Sequence, residues 1–543
     1  MWAGFTSPNW VLEDLPACRV QVFFCLPPNL SSCCNYGLYL YLGMVADQSI
    51  NQPIKTGLAR NLGLLGLVAT GICSMLGAAI NVVPFMIQRN VPGIGSYVLE
   101  AYLFAAVPAI FAAICYAILA SAMPRAGGSY IYASRSLSPY LGFIASFAQW
   151  FGLSIAIGVV SYILVTFLKD MAFALEWGQV VVLLETGWIK LTIALSFLWT
   201  FVYVNLRGTQ LYERTLIPMM FIMFLLGAIV IVAGFSFDHD DFKSAVSAKE
   251  GVIIEDQVSG FDFKIFLAAA AVLFSSFIGF DSIAQAGGEA KNPSRNLPVA
   301  ILAAIISVGL FYFLFTAAVY HAVPWNFIAD LSSQQDVTAP GLLTYLMPVG
   351  WAIAVVGGAT IALINDLPAM LLAVSRLMFA WAEDGIFPKK VASVHREWQT
   401  PYVAIVASGL MASVGILGSH FAGDFFLGID ILVTSMLVNF ILMCLSVIWL
   451  PLKNPEIASH ISVIKSRNRQ LVLSITGALI LTVFIAIHIA KDLNAEVDAW
   501  FFHSTPVWII VMGIASVIFF RETLKLKKSG VDVKNIFSKL PPE

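Results

Sequence analysis

The sequence predicts an all-α polytopic membrane protein, a bundle of twelve transmembrane helices. Three observations carry this. The 543 residues are 59% hydrophobic and 11% charged, with mean hydropathy +0.85, whereas a soluble domain carries about a quarter charged residues. Twelve apolar runs are long enough, or nearly so, to cross a bilayer, which takes about 20 residues. Lys and Arg gather on one side of these runs.

In chain order the runs are 62–86, 96–122, 139–168, 187–205, 214–236, 263–286, 298–323, 341–374, 402–419, 425–450, 471–490 and 505–520. The eighth is long enough to tilt or to extend past the bilayer; the ninth and twelfth are short. Lipid offers backbone groups no partners, so such runs must be helices or a closed barrel. A barrel would show short alternating strands, and these runs are apolar all round.

Lys55, Arg60, Arg125, Arg135, Arg207, Arg214, Lys291, Arg295 and Arg376 fall on one side, with Lys389, Lys390, Arg396, Lys453, Lys465, Arg467, Arg469 and the tail cations Arg521 to Lys539. The other side has Arg89, Lys169, Lys190, Lys243, Lys249, Lys264 and Lys491, a bias of about three to one. Positive residues stay cytoplasmic, so both termini are expected there, in a multi-pass cell-membrane protein. The outer loop 237–262 is acidic.

The rest of the composition excludes other classes. Net charge is −2, and nothing suggests nucleic-acid binding. Seven cysteines without a CxxC pair predict neither a disulfide framework nor a metal site. No HExxH, GxSxG or phosphate-binding loop occurs, so the chain is not expected to be an enzyme. Residues 1–61 form an N-terminal segment. Its first 43 residues match neither a span nor a signal peptide, and the native start is expected at Met44.

Polar cargo needs polar contacts at mid-depth, which broken helices supply through unpaired backbone groups. The first run contains Ala69-Thr70-Gly71-Ile72-Cys73-Ser74-Met75-Leu76-Gly77-Ala78-Ala79-Ile80-Asn81, followed by Pro84. The sixth contains Phe274-Ser275-Ser276-Phe277-Ile278-Gly279-Phe280-Asp281-Ser282. These candidate breaks lie five spans apart, in helices of opposite direction. That pattern predicts an inverted repeat, 62–236 against 263–450, then two further spans over 471–520 and a tail, 521–543. The competing reading is close packing through small residues.

Four segments resemble the amino acid–polyamine–organocation superfamily of permeases: Ser74–Ile80, Met123-Pro124-Arg125-Ala126-Gly127-Gly128-Ser129-Tyr130-Ile131-Tyr132, Phe277–Asp281 with Glu289–Pro298, and Ser375-Arg376-Leu377-Met378-Phe379-Ala380-Trp381-Ala382-Glu383-Asp384-Gly385-Ile386-Phe387-Pro388. The resemblance covers about residues 55 to 520. It implies a LeuT-like fold with helices one and six broken, and alternating-access transport of an amino acid or related amine. Mapped onto this chain, the substrate carboxylate meets the amides of Gly77, Ala78 and Ala79. The amino group meets the carbonyls of Ser275, Ser276 and Phe277, with Ile278 and Phe280 as neighbours. Ala79 stands where the family has Gly. Asn81 replaces an apolar residue and offers a side-chain contact.

Acids at depth are functional candidates. Asp366 is expected either to carry coupling H⁺ or Na⁺ or to serve as a packing partner; Asp281 either couples or braces the sixth helix. Asp430 reads as a solvated vestibule charge, and His321 and His488 as interfacial. Span five lacks Lys, so a lysine substituting for Na⁺ is not supported. Lys291, Arg295 and Arg376 either pair with Glu289, Glu383 or Asp384 at an inner gate or, the favoured reading, are solvated. No cofactor is expected beyond a coupling ion. The expected partners are the small-molecule cargo and the bilayer. Ion-coupled symport is the leading reading, with exchange and a flux-free sensor as alternatives.

Overall fold

The computed structural model describes residues 58–541 apart from 256, 423, 424 and 498. The expected start at Met44 lies outside the described residues. The chain divides into two units, Met1–Ile54 and Lys55–Glu543, and the second holds everything described below.

Eleven helices among the described residues are long and apolar enough to cross a membrane: Gly95–Ala122, Pro139–Phe173, Gly187–Leu206, Thr209–Ser236, Phe263–Gln285, Pro293–Ala322, Ile353–Glu383, Tyr402–Phe421, Leu427–Lys453, Arg467–Asn494 and Ser504–Lys528. The protein is thus an all-α polytopic membrane protein. The first expected span falls outside this set because it is divided into Leu64–Cys73, Ala78–Asn81 and Val83–Asn90.

Several bounds differ from expectation. The run 341–374 is not one helix: a short helix, Ala339–Leu343, ends before Pro348, and a separate helix covers Val349–Glu383. Proline at 348 favours a new helix start, since its missing N–H is harmless there. The Gly127-Gly128 pair opens the helix Gly128–Ser136, with Gly127 left-handed at φ 73°. The acidic outer loop contains the helix His239–Glu250, started by a capping box at Asp238. Asp238 and Asp241 each satisfy backbone N–H groups there, which is the physics of that motif.

The two breaks have different local causes. In span one the helical ladder ends with Leu76 N–H on Ile72 O at 3.0 Å, and helix resumes at Ala78. In span six, Phe263–Leu273 tightens into a 3₁₀ turn over Phe274–Phe277, and Ile278 is extended. Gly279 follows at φ 139°, a conformation only glycine adopts without strain. A Cβ there would also run into the backbone carbonyl of Ser74. The breaks therefore touch, and the Ser74 and Ser282 hydroxyls share a hydrogen bond of 2.9 Å.

At one end of the bundle, short backbone contacts tie the start of span one and the segment after span two to the segment that follows the second break. Leu62 N–H donates to Glu289 O at 2.9 Å, and Lys291 N–H donates to Leu62 O at 2.8 Å. Gly127 N–H reaches Gln285 O at 3.1 Å.

Gly279→Ala should lower stability by about 1–3 kcal/mol through backbone strain and the Ser74 collision. Gly309→Ala is the control, because a Cβ there meets only Phe277 at 3.9 Å. Thermal unfolding in detergent should show a lower midpoint for the first variant and an unchanged or higher one for the second.

Candidate functional site

The meeting point of the breaks is lined by backbone groups that helix geometry leaves unpaired. Tyr312, on the helix Pro293–Ala322, points its hydroxyl between two of them, the carbonyls of Met75 and Ser276, the latter at 2.9 Å. A phenol has one proton and serves one carbonyl at a time, so Tyr312 joins both breaks through a shared donor. Its ring packs with Tyr102 and Phe277, all three centroid pairs lying 5.4–5.5 Å apart.

Two residues beyond Met75, Asp366 meets the first break. Its Oδ1 accepts the Gly77 N–H at 3.0 Å, and a Cβ on Gly77 would fall on this carboxylate. The preceding residue reinforces the contact, with Asn365 Nδ2 donating to Cys73 Sγ at 2.8 Å. The amide of Gly77, expected to face a substrate carboxylate, is thus occupied here by the protein's own carboxylate. Asn81 turns back along its helix, and its Nδ2 donates to Gly77 O at 3.1 Å. Asn81 also lines a cavity of about 20 Å³ with Leu76, Met223, Phe311 and Ala359, enough for about one water.

The other expected contacts divide. Ser275 Oγ is buried without a hydrogen-bond partner among the described residues. Ser276 contributes its carbonyl to Tyr312, while Ile278 is buried in the core. Phe280 stacks on Phe440 at 5.2 Å and meets Tyr116 edge-on at 5.6 Å, so it packs between helices. Ala79 is partly buried against the core. Ala78 begins the resumed helix.

Asp281 anchors a buried polar chain. Its Oδ1 accepts the Gly279 N–H at 3.0 Å, and its Oδ2 accepts from Gln149 Nε2. Gln149 Oε1 accepts from Gln285 at 3.2 Å and Asn439 at 3.3 Å. Asn439 donates to the Tyr116 hydroxyl, itself bonded to Ser129, both at 2.7 Å. Three other crossing helices and the Gly128–Ser136 helix thereby brace the second break. Sequence reading did not find Tyr312, Gln149 or Asn439. Each is a single polar group in an apolar run, and only tertiary adjacency reveals its partner.

Charges at the helix ends correct three expectations. Arg376 grips Glu289 through two bonds of 2.9 and 2.6 Å, with side chains 1% and 0% exposed. Arg135 grips Asp384 at 2.5 and 2.9 Å, with 0% and 4% exposed. Arg376 is thus paired and buried where solvation was the favoured reading, and its partner Glu289 is one of the alternatives named above; Lys291 and Arg295 do stay exposed. At the opposite end Asp430 is buried, not a solvated vestibule charge, and pairs with Lys491 at 3.5 Å. His488 is buried, not interfacial, with Nε2 against Asp430 O at 3.1 Å. Both lie where helices Phe425–Lys453 and Arg467–Asn494 pack together.

The tail closes over the Arg135 pair. Arg135 Nε donates to Lys539 O at 3.1 Å, and its guanidinium lies 5.1 Å from the Phe537 ring. Arg125 Nε likewise donates to Pro541 O at 3.1 Å.

Comparison with known proteins bears directly on this arrangement. The family model described as amino acid permease matches residues 62–518. The chain belongs to this family. The permease is 28% identical over 376 residues to cationic amino acid transporter 4 of Mus musculus, covering 67% of this chain and 56% of that protein. It is 27% identical over 375 residues to the branched-chain amino acid permease BcaP of Bacillus subtilis, covering 67% and 76%. It is 24% identical over 493 residues to the methylthioribose transporter of Bacillus subtilis, covering 88% and 97%. A LeuT-like fold goes with this family, and the permease is a membrane transporter.

Removing one partner of a buried ion pair costs about 3–5 kcal/mol. Glu289→Gln and Arg376→Gln should each lose about that much, and the double variant less than their sum. A double-mutant cycle on thermal unfolding checks this. Phe537→Ala should raise amide hydrogen exchange in residues 128–136, read by mass spectrometry, without changing exchange at the breaks.

Proposed function

We propose that the permease moves an amino acid or related amine by alternating access, with the cargo held between the two breaks and a proton as coupling ion. Twelve crossings with both termini cytoplasmic, in the cell membrane, accord with the basic bias of one side. The first and sixth spans act as equivalent parts of two inverted repeats, 62–236 and 263–450. The observation that carries this reading is the Gly77–Asp366 bond beside the Met75 and Ser276 carbonyls. It places an amide donor and two carbonyl acceptors at one buried point, the groups a zwitterion needs.

A cargo ammonium would take the carbonyls that Tyr312 now serves. A cargo carboxylate would take amides of the first break, with Gly77 the one that Asp366 must yield. Two carboxylates at one amide repel in a low-dielectric site. Protonation removes the Asp366 charge and weakens its bond, since charge-assisted hydrogen bonds are roughly twice as strong as neutral ones. Protonation of Asp366 and arrival of the cargo then favour each other. Asp281, whose oxygens accept from Gly279 and Gln149, serves instead to hold the second break.

Uptake into proteoliposomes tests this with a panel of labelled amino acids and their decarboxylated amines. An inward proton gradient should drive uptake by the wild type. Asp366→Asn should abolish the response to the gradient while counter-exchange persists. Uptake that needs only internal cargo, with Asp366→Asn unaffected, would instead establish an exchanger and leave Asp366 a packing role. Saturable binding without flux would establish a sensor.

A further inference from the structure

The last crossing helix, Ser504–Lys528, carries a two-part stripe. Val517, Phe520, Arg521, Leu524, Lys525 and Lys528 line one open groove of about 460 Å³. Their spacing of three and four residues puts them on a single helix face. Val517, Phe520 and Leu524 are 67%, 54% and 56% exposed. The stripe rises about 16 Å along the axis at 1.5 Å per residue. It runs from apolar side chains to three cations where the span ends.

These cations differ from those at the gate. Arg135 and Arg376 are consumed in buried pairs. Lys525 pairs with Glu522 at 2.5 Å on the surface. Arg521 and Lys528 make no ion pair among the described residues. We propose that this stripe binds an anionic phospholipid. Its acyl chain lies along Val517, Phe520 and Leu524, and its phosphate sits among Arg521, Lys525 and Lys528. Inorganic phosphate has nothing to place on the apolar half, and a zwitterionic lipid such as phosphatidylcholine brings its own ammonium beside its phosphate, which leaves the three cations without net counter-charge. Polybasic segments at a membrane surface attract anionic headgroups in this way.

The site has a route to the gate. Leu526, off the stripe, packs on Gly385, where a Cβ would lie 2.9 Å from its side chain. Gly385 follows Asp384, the partner of Arg135. The helix Val533–Ser538, which carries Phe537 over Arg135, begins five residues after Lys528. A lipid holding the end of the last span therefore braces the elements that close over the ion pair. This consequence rests on the transport reading; the binding itself does not.

Native mass spectrometry of the full chain, with phosphatidylglycerol or phosphatidylcholine added, tests binding. The stripe variant is Arg521→Gln with Lys525→Gln and Lys528→Gln. The control is Lys389→Gln with Lys390→Gln and Arg396→Gln, which removes three charges elsewhere. Wild type and control should retain phosphatidylglycerol over phosphatidylcholine. The stripe variant should lose at least about tenfold in that preference, with an unchanged thermal midpoint. If the triple change unfolds the protein, Lys528→Gln alone should still weaken retention. Equal loss in the control would overturn the proposal in favour of diffuse surface charge. Displacement by millimolar inorganic phosphate would overturn it in favour of a simple anion site. In active proteoliposomes, phosphatidylglycerol should speed uptake by wild type and not by the stripe variant. Retained binding without that difference would remove the link to the gate and leave the lipid site standing.

Discussion

Everything at the centre of this protein follows from one constraint: a helix interrupted inside a bilayer must find partners for its backbone groups. Two helices are interrupted, and they solve the problem on each other. The Ser74 carbonyl sits where a Cβ on residue 279 would be, so the second break can exist only with glycine. Tyr312 hangs one proton between carbonyls from both breaks. Asp366 takes the Gly77 amide. Each solution is a single hydrogen bond, stable enough to hold one state and weak enough to exchange. A net hydrogen bond is worth about 0.5–1.5 kcal/mol, within reach of what a bound cargo supplies.

The end of the bundle that carries Arg135 and Arg376 obeys the opposite logic. There the contacts are bidentate charge pairs out of water, Arg376 with Glu289 and Arg135 with Asp384. Such pairs are poor sources of stability but expensive to leave half-made. They suit an element that must be either closed or fully separated. In the proposed alternating access, the single bonds at the centre would exchange one at a time, whereas the paired end would open only when whole helices part and water enters. Such a device needs both behaviours, and the two kinds of contact would supply them through different chemistry.

Much of the scaffold was legible in the sequence because its signals are local. Apolar length marks a span, and Gly with Ser inside a span marks a break, so Ser74–Gly77 and Ser275–Gly279 stood out. Asp366 stood out for being an acid in lipid. What could not be read depends on long-range adjacency. Arg135 and Asp384 are 249 residues apart, and nothing near either one announces the other. Gln149, Asn439 and Tyr116 look like isolated polar residues until folding puts them on one chain of hydrogen bonds with Asp281. Local signals also misled. Gly341, Pro348 and Gly350 were absorbed into one apolar run, although Pro348 starts a separate helix. The Gly127-Gly128 pair marked a turn but also the start of a buried helix.

Burial of Asp430 and His488 follows from the same gap between local and tertiary information. A polar residue near a span end reads as interfacial because lone helices place their ends in water. Here the helices Phe425–Lys453 and Arg467–Asn494 run side by side and cover each other's ends. Lys491 bridges Asp430 to Asn90: it forms an ion pair with the first at 3.5 Å and donates to the Oδ1 of the second at 2.7 Å. Asn90 is the last residue of the broken first span. A charge that looks peripheral thus ties the Asn90 end of the first span to the helices beside it. The far end of that helix is tied by Leu62 to the segment carrying Glu289. The first span is therefore pinned at both ends and interrupted in the middle, so under the proposed transport cycle any movement of this span as a whole would have to break one of these ties.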